Sequence, residues 1–286
     1  MVLAMAEMEV QGVSTRNVTA IVEELCGLEV TSTQVSRVAA ELDEQLDAWR
    51  NRPIGEITYL VLDARYEKVR HDGAIRSCAL LTAIGTDTDG KRSVLGCSVQ
   101  LSEAEPRWRK FLESLQKRGM HGVTLIVSDD HAGLRAARQA VMAGVPWQRC
   151  QFHTIRNATA HVPKVAMRAE VARDLRRVFD ADEPAEAERR LKDVVARHQK
   201  TAPQLAAWLE EAAPDAITVL TIPLPHRRRL RTTNGLERLN KEIKRRTRVA
   251  TLFPNEASLL RLASAVLSEI SDDWETERGY LNMEAR

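Results

Sequence analysis

The sequence predicts an α/β protein: a mixed sheet flanked by helices, interrupted by an all-helical insertion and preceded by a small helix-turn-helix segment. Three observations carry that expectation. Hydrophobic spacing changes at Ile57 from a helical to a strand pattern. The elements beyond it follow the order β-β-β-α-β-α-β. Residues from about 154 to 215 are then helical throughout, punctuated by Pro163, Pro184, Pro203 and Pro214.

Taken in order, residues 12–46 form two helices with a tight connection. Ser14 opens the first, with Val18, Ile21, Val22 and Leu25 at helical spacing, and Gly27 suits the turn. Thr31 and Gln34 form a capping box into the second, where Val35, Val38 and Leu42 share a face. In a helix-turn-helix the second helix would offer Gln34, Ser36 and Arg37 to a DNA groove; packing or dimerisation is the competing use of such a hairpin. Asn51 to Gly55 make a linker. Strands are expected over 57–64, 74–85 and 92–100, the last two joined by a hairpin turn at Asp89-Gly90. A helix over 103–118, a buried strand over 122–128, a helix over 131–143 and a short strand over 147–152 follow. After the insertion the α/β pattern resumes at 217–222, followed by a helix holding Glu237 and another over 256–271. The chain thus divides into residues 1–50, 56–153, 154–216 and 217–286: helix-turn-helix segment, first part of the sheet domain, helical insertion, and second part.

Composition excludes several classes. No apolar run approaches a membrane span, and the N-terminus lacks a basic-then-apolar signal pattern. Aromatics make up only 4%, which argues against an array of base-stacking platforms. Cys26, Cys78, Cys97 and Cys150 are scattered, as reduced thiols in a cytoplasm would be. The net charge of +2 conceals an asymmetry: His226 to Arg248 carries ten Lys/Arg against two Glu, on a body that is otherwise mildly acidic. So concentrated a basic segment, including Arg227, Arg228, Arg229 and Arg231, points to a polyanion.

The chemistry rests on acids. Asp63 closes the first apolar strand run, and Asp129 closes the run GVTLIVS, with Asp130 beside it. If those strands are parallel neighbours, both carboxylates project from adjacent carboxyl ends, where open α/β sheets bind ligands. Two such carboxylates repel unless one is protonated or a divalent cation bridges them, and oxygen ligation suits Mg²⁺ or Mn²⁺, as an ion pair able to run phosphoryl transfer. Glu237 is the third acid. Asn234 and Glu237 alone fit a helix cap, but beside two acidic strand ends the metal-ligand reading is the better one. Glu237, Lys241, Lys244 and Arg248 share one helix face, which would carry the basic surface past the ions. A two-carboxylate hydrolase acting on sugars would leave that basic segment idle. Cys150-x-x-His153 is half a zinc site in appearance, yet His161 and His198 stand apart in the sequence, so a structural role or a phosphate contact by His153 is the stronger reading.

These residues carry a resemblance. The acids, with GVSTRNV, LDARYEKVR, SDDHAGLRAA, QRCQFHTIRN, TTNGLERLNKEIKRRTRV and FPNEASLLRL, resemble the Mutator-type transposases of bacterial insertion sequences over about residues 12–280. The resemblance implies a ribonuclease H-like mixed five-stranded sheet with helices on both faces, and catalytic Asp63, Asp129 and Glu237 holding two Mg²⁺ or Mn²⁺ ions. It favours Asp129 over Asp130 and places Cys150, His153, Arg156 and Asn157 in a family signature. It also implies double-stranded DNA as partner, both element ends and target, together with homo-oligomerisation. The implied reaction is hydrolysis at the element end followed by 3′-hydroxyl transfer into target DNA. Relatives of this kind have a longer region ahead of the helix-turn-helix, so a chain shortened there, acting only as a DNA-binding remnant, is the alternative.

Overall fold

The computed structural model describes residues 15–26, 31–247, 252–277 and 279–284. The readings for Ser14, Gly27 and Arg248 therefore lie outside the described residues. Helix α1 (Thr15–Cys26) and helix α2 (Ser32–Arg50) come first. The capping box forms as expected: the Gln34 N–H donates to Thr31 Oγ1 at 3.2 Å, and Gln34 Oε1 accepts from the Thr31 N–H at 2.8 Å. Val18 and Val22 of α1 and Val35 and Val38 of α2 are buried.

Five strands follow: β1 (Ile57–His71), β2 (Ala74–Asp87), β3 (Arg92–Gln100), β4 (Leu125–Ser128) and β5 (Trp147–Arg149). The sheet order is β3-β2-β1-β4-β5. The first three strands form the expected antiparallel meander, and β4 and β5 run parallel to β1. The sheet is thus mixed, and side chains alternate between its two faces. Leu60, Leu62, Leu81 and Ile126 point to one face, against α3 (Glu105–Lys117) and α4 (Ala132–Val141), where Trp108, Phe111, Leu112 and Leu134 are buried. Tyr59, Leu125 and Val127 face the helical insertion, and Leu80, Ile84 and Val94 face the C-terminal helices.

The remaining helices are α5 (Gln151–Ala158), α6 (Arg168–Phe179), α7 (Pro184–His198), α8 (Pro203–Ala212), α9 (Leu224–Leu230), α10 (Asn234–Thr247) and α11 (Glu256–Thr276). The α2 helix is anchored on α11 by a two-point pair of Arg261 with Asp43, at 2.8 and 2.6 Å, and by Arg50 donating to Ser264 at 2.8 Å. No helix among the described residues is long and apolar enough to cross a membrane.

Three expectations need correction. The first strand does not end at Ala64 but runs on to His71, turning into β2 at Asp72-Gly73, where both residues have positive φ (48° and 77°). That dipeptide is a hairpin signal in its own right. The last short strand stops at Arg149, and α5 starts within two residues because Gln151, Thr154 and Ala158 bury one helical face. Residues 217–222 are not a strand: they lie in 3₁₀ turns, Pro214–Ala216 and Thr218–Thr221. Gln148 of β5 explains this. Its amide donates to the Ala216 carbonyl at 2.8 Å and accepts from the Val219 N–H at 2.6 Å, so a side chain meets the backbone groups that a sixth strand would have paired.

Candidate active site

The parallel pairing of β1 and β4 matches Val61 with Val127. Two positions further along, the same register sets Asp63 opposite Asp129, just past the last residue of β4. From there β1 is paired along one edge by β2 and, among the described residues, meets the other side only in a single bridge from Val69 to Phe253, and most of its side chains are polar. The chain leaves β4 through Asp129-Asp130-His131 and enters α4 at Ala132. Gly133 lets this corner close, since a Cβ there would stand 1.9 Å from the Glu103 carbonyl oxygen.

The neighbouring acids differ in their surroundings. Asp130 is 9% exposed and neutralised twice: Arg149 pairs with it at 2.8 Å, and the Arg135 Nε–H donates to it at 2.7 Å. Asp129 forms no ion pair among the described residues. Asp63 is pushed up from 3.8 to about 6: burial raises it most and the Asp129 charge adds to that, against the Asn240 hydrogen bond and the nearby His153. A carboxylate that desolvated, beside a second that forms no ion pair among the described residues, is the electrostatic condition under which a divalent cation binds well. The donor set fits hard, oxygen-ligated Mg²⁺ or Mn²⁺.

Helix α10 is held over this pair by Leu236, Leu239 and Ile243, all buried among residues of β1, β2, β3 and α11. The Asn240 amide donates to Asp63 Oδ2 at 2.7 Å, and Arg65 donates to the Asn240 carbonyl at 3.3 Å. Glu237 lies on α10 three residues before Asn240, so the two share a helix face. The side chain of Glu237 lies outside the described residues, as does its proposed cap with Asn234. Asn240 escaped the sequence reading; its spacing from Glu237 was the available signal.

Cys150 precedes α5 and is buried, receiving the Thr233 N–H at 3.4 Å and the Thr233 hydroxyl at 3.5 Å on its sulfur. Burial would raise this thiol, but hydrogen bonds from His153 and Thr233 outweigh it and bring it below its ordinary value. His153 is raised, first by the Cys150 thiol and then by the charges of Cys150 and Asp129, against desolvation. The C-x-x-H pair thus joins the start of α5 to the residue ahead of α10, and His153 faces both aspartates electrostatically. Arg156 is exposed and lines a cavity of about 430 Å³ with Phe152, Arg176 and Arg231; Asn157 is half-buried.

The basic segment splits into two groups. Arg227 donates to the carbonyls of Ile222 and Asp182 at 2.9 and 2.6 Å, and Arg231 pairs with Asp180 at 3.1 Å. These two hold α9 against the insertion. Arg228 and Arg229 are exposed and line a cavity of about 560 Å³ with Arg92, Trp274 and Tyr280, near the N-terminus of α10. Lys241 and Lys244 are exposed on α10. At the other end of the chain, Arg37 is exposed, and the Gln34 oxygen is engaged in its helix cap.

Comparison with known proteins identifies the family. A family model described as "Transposase, Mutator family" matches residues 1–277. Over 282 residues the chain is 57% identical to the transposase for insertion sequence element IS406 of Burkholderia multivorans, covering 98% of this chain and 73% of that protein. It is 42% identical over 285 residues to the transposase for insertion sequence element ISRM5 of Rhizobium meliloti, covering 99% and 71% respectively. It is also 37% identical over 287 residues to the transposase for insertion sequence element IS256 in transposon Tn4001 of Staphylococcus aureus, covering 98% and 73%.

Proposed function

The chain belongs to the Mutator family of transposases, and from that premise we propose that it cuts DNA at insertion-sequence ends and transfers the freed strand into target DNA with divalent-metal help. In the first step water attacks a phosphorus at the element end, and the bond to the 3′ oxygen breaks, leaving a 3′-hydroxyl. In the second, that hydroxyl attacks a target phosphodiester and displaces its 3′ oxygen. Asp63, Asp129 and Glu237 are the proposed ligands on what we read as a ribonuclease H-like core. Mg²⁺ or Mn²⁺, one ion or a pair, would lower the pKa of the attacking oxygen's proton and stabilise charge on the departing one.

The observation that carries this reading is the contrast between Asp129 and Asp130. One carboxylate is matched by two arginines, while its neighbour is left to face the desolvated Asp63. Asn240 holds α10 on Asp63 and so sets where Glu237 enters. Arg228, Arg229, Lys241 and Lys244, with Arg248, would neutralise DNA phosphates, which positions the backbone without reading sequence. Sequence reading would fall to α1 and α2 as a helix-turn-helix, through Gln34 and Arg37.

The test is direct. Purified chain with a duplex carrying its own element ends and Mg²⁺ should nick at the end and join it to a target plasmid. Asp63→Asn, Asp129→Asn and Glu237→Gln should each abolish both steps while changing DNA affinity only severalfold. Binding without cleavage by the wild-type chain in either metal would support a DNA-binding remnant instead.

A further inference from the structure

The helical insertion holds a second set of ligating side chains, away from the carboxylates above. Glu170 and Asp174 stand at i and i+4 on α6, on one helix face. His198 is the last residue of α7, which packs against α6. One ligand atom from each of the three lies within 4.8 Å of the others. His198 looked isolated in the sequence, and the fold brings it two carboxylates.

This is more than an acidic cluster. His198 is 2% exposed, and neither of its ring nitrogens has a hydrogen-bond partner. An imidazole buried in that state is costly unless something else meets it. Its Nε2 lies 3.7 Å from Asp174 Oδ2, and Asp174 is itself 4% exposed. That separation is too long for a hydrogen bond. It does suit two ligands flanking one ion, because bonds of about 2.1 Å at ordinary coordination angles put ligand atoms roughly 3–4 Å apart. Glu170 is half-buried, and its ligand atom lies within 4.8 Å of those of the other two. Arg197 donates to Asp174 Oδ2 at 2.6 Å from a half-exposed position. This is the same oxygen that faces His198, so an ion would take its second lone pair, with Arg197 orienting the carboxylate from outside.

We infer that Glu170, Asp174 and His198 bind a divalent transition-metal ion, zinc by the ligand set, which staples α6 to α7. One imidazole with two carboxylates suits zinc better than magnesium, since magnesium prefers oxygen throughout. The inference rests on this geometry alone and is independent of the transposition chemistry.

The test uses the whole 286-residue chain stripped with EDTA, in an Asp63→Asn, Asp129→Asn background so that the sheet carboxylates do not contribute. Zn²⁺ is added, excess is removed by gel filtration, and metal is counted by mass spectrometry beside a thermal melt. One zinc per chain and a higher melting temperature are expected. Adding Cys150→Ser should leave the count unchanged, and His198→Gln should abolish it. If His198→Gln does not fold, Glu170→Gln at its half-buried position should fold and bind zinc more than about tenfold more weakly. Co²⁺ in place of zinc should give a visible spectrum that shifts in Glu170→Gln. No retained zinc, zinc that survives both His198→Gln and Glu170→Gln, or zinc lost with Cys150→Ser would each overturn the site. In those cases Asp174, Arg197 and His198 are a polar contact between α6 and α7 and no more.

Discussion

Asn240 donates its side-chain amide to Asp63 at 2.7 Å, across 177 positions of sequence. This bond ties the helix carrying Glu237 to the strand carrying Asp63, and it favours the ionised form of that carboxylate. A hydrogen bond to a charged group contributes about 1.5–3 kcal/mol.

Asn240→Ala should therefore move the acidic limb of the cleavage pH profile upward, because removing this donor lets burial and Asp129 raise Asp63 further. Asn240→Asp should be worse, adding a further acid beside Asp63. A rate loss that is uniform across pH would mean that Asn240 only supports the helix and does not tune the carboxylate.

Asp63 also makes a stability prediction. Its folded pKa, about 6, stands above the ordinary 3.8. The folded state therefore holds this proton more tightly than the unfolded chain does. Stability is lost as pH rises between those values, by up to about 3 kcal/mol. In EDTA at pH 8, Asp63→Asn should be more stable than wild type in urea unfolding, and below pH 4 the difference should disappear. Adding Mn²⁺ at pH 8 should stabilise wild type more than the variant. A variant less stable than wild type at pH 8 would refute the burden assigned to this carboxylate.

Asp129 and Asp130 should separate by phenotype. Asp129→Asn should lose turnover with its melting temperature little changed. Asp130→Asn leaves Arg149, whose side chain is 5% exposed, without its counter-charge. Breaking a buried pair by removing one partner costs about 3–5 kcal/mol. Asp130→Asn should thus be destabilised yet retain cleavage at a temperature where it is folded. The reverse pattern would exchange the two roles.

The basic surface can be read from salt dependence. Replacing Lys241, Lys244 and Arg248 together by Gln should flatten the log–log salt slope of DNA binding by up to about three, similarly for specific and scrambled duplexes. Arg227→Gln should instead act mainly on stability, since its guanidinium holds two backbone carbonyls. Gln34 and Arg37 substitutions should erode preference for the element's own ends. An unchanged slope in the triple variant would remove α10 from the DNA path.

Much of this molecule was legible in the sequence where residue pattern and local chemistry agree. Leu125 to Ser128 are apolar enough to be buried on both faces, and the acid after them marks where that burial ends. Asp63 was found for the same reason, but its strand was cut short. Hydrophobicity reports the neighbour on the open side, β4, and β4 stops while β1 continues. Residues 217–222 misled because burial against the insertion looks like burial in a sheet, and the pairing that decides between them comes from Gln148, far away in sequence. Asn240 and the His198 cluster depend on contacts between distant segments, which no local spacing encodes.

The contact between Asp63 and Asn240 also sets an order in time. During synthesis, the strands that bear both aspartates leave the ribosome well before α10 does. A nascent chain that has emerged only through the insertion can pair β1 with β4 and place two carboxylates side by side, yet it has no helix to close over them. If these carboxylates cut DNA as proposed, cutting waits until α10 has been made, so a polypeptide emerged only through the insertion and held close to the genome that encodes it would not nick that DNA.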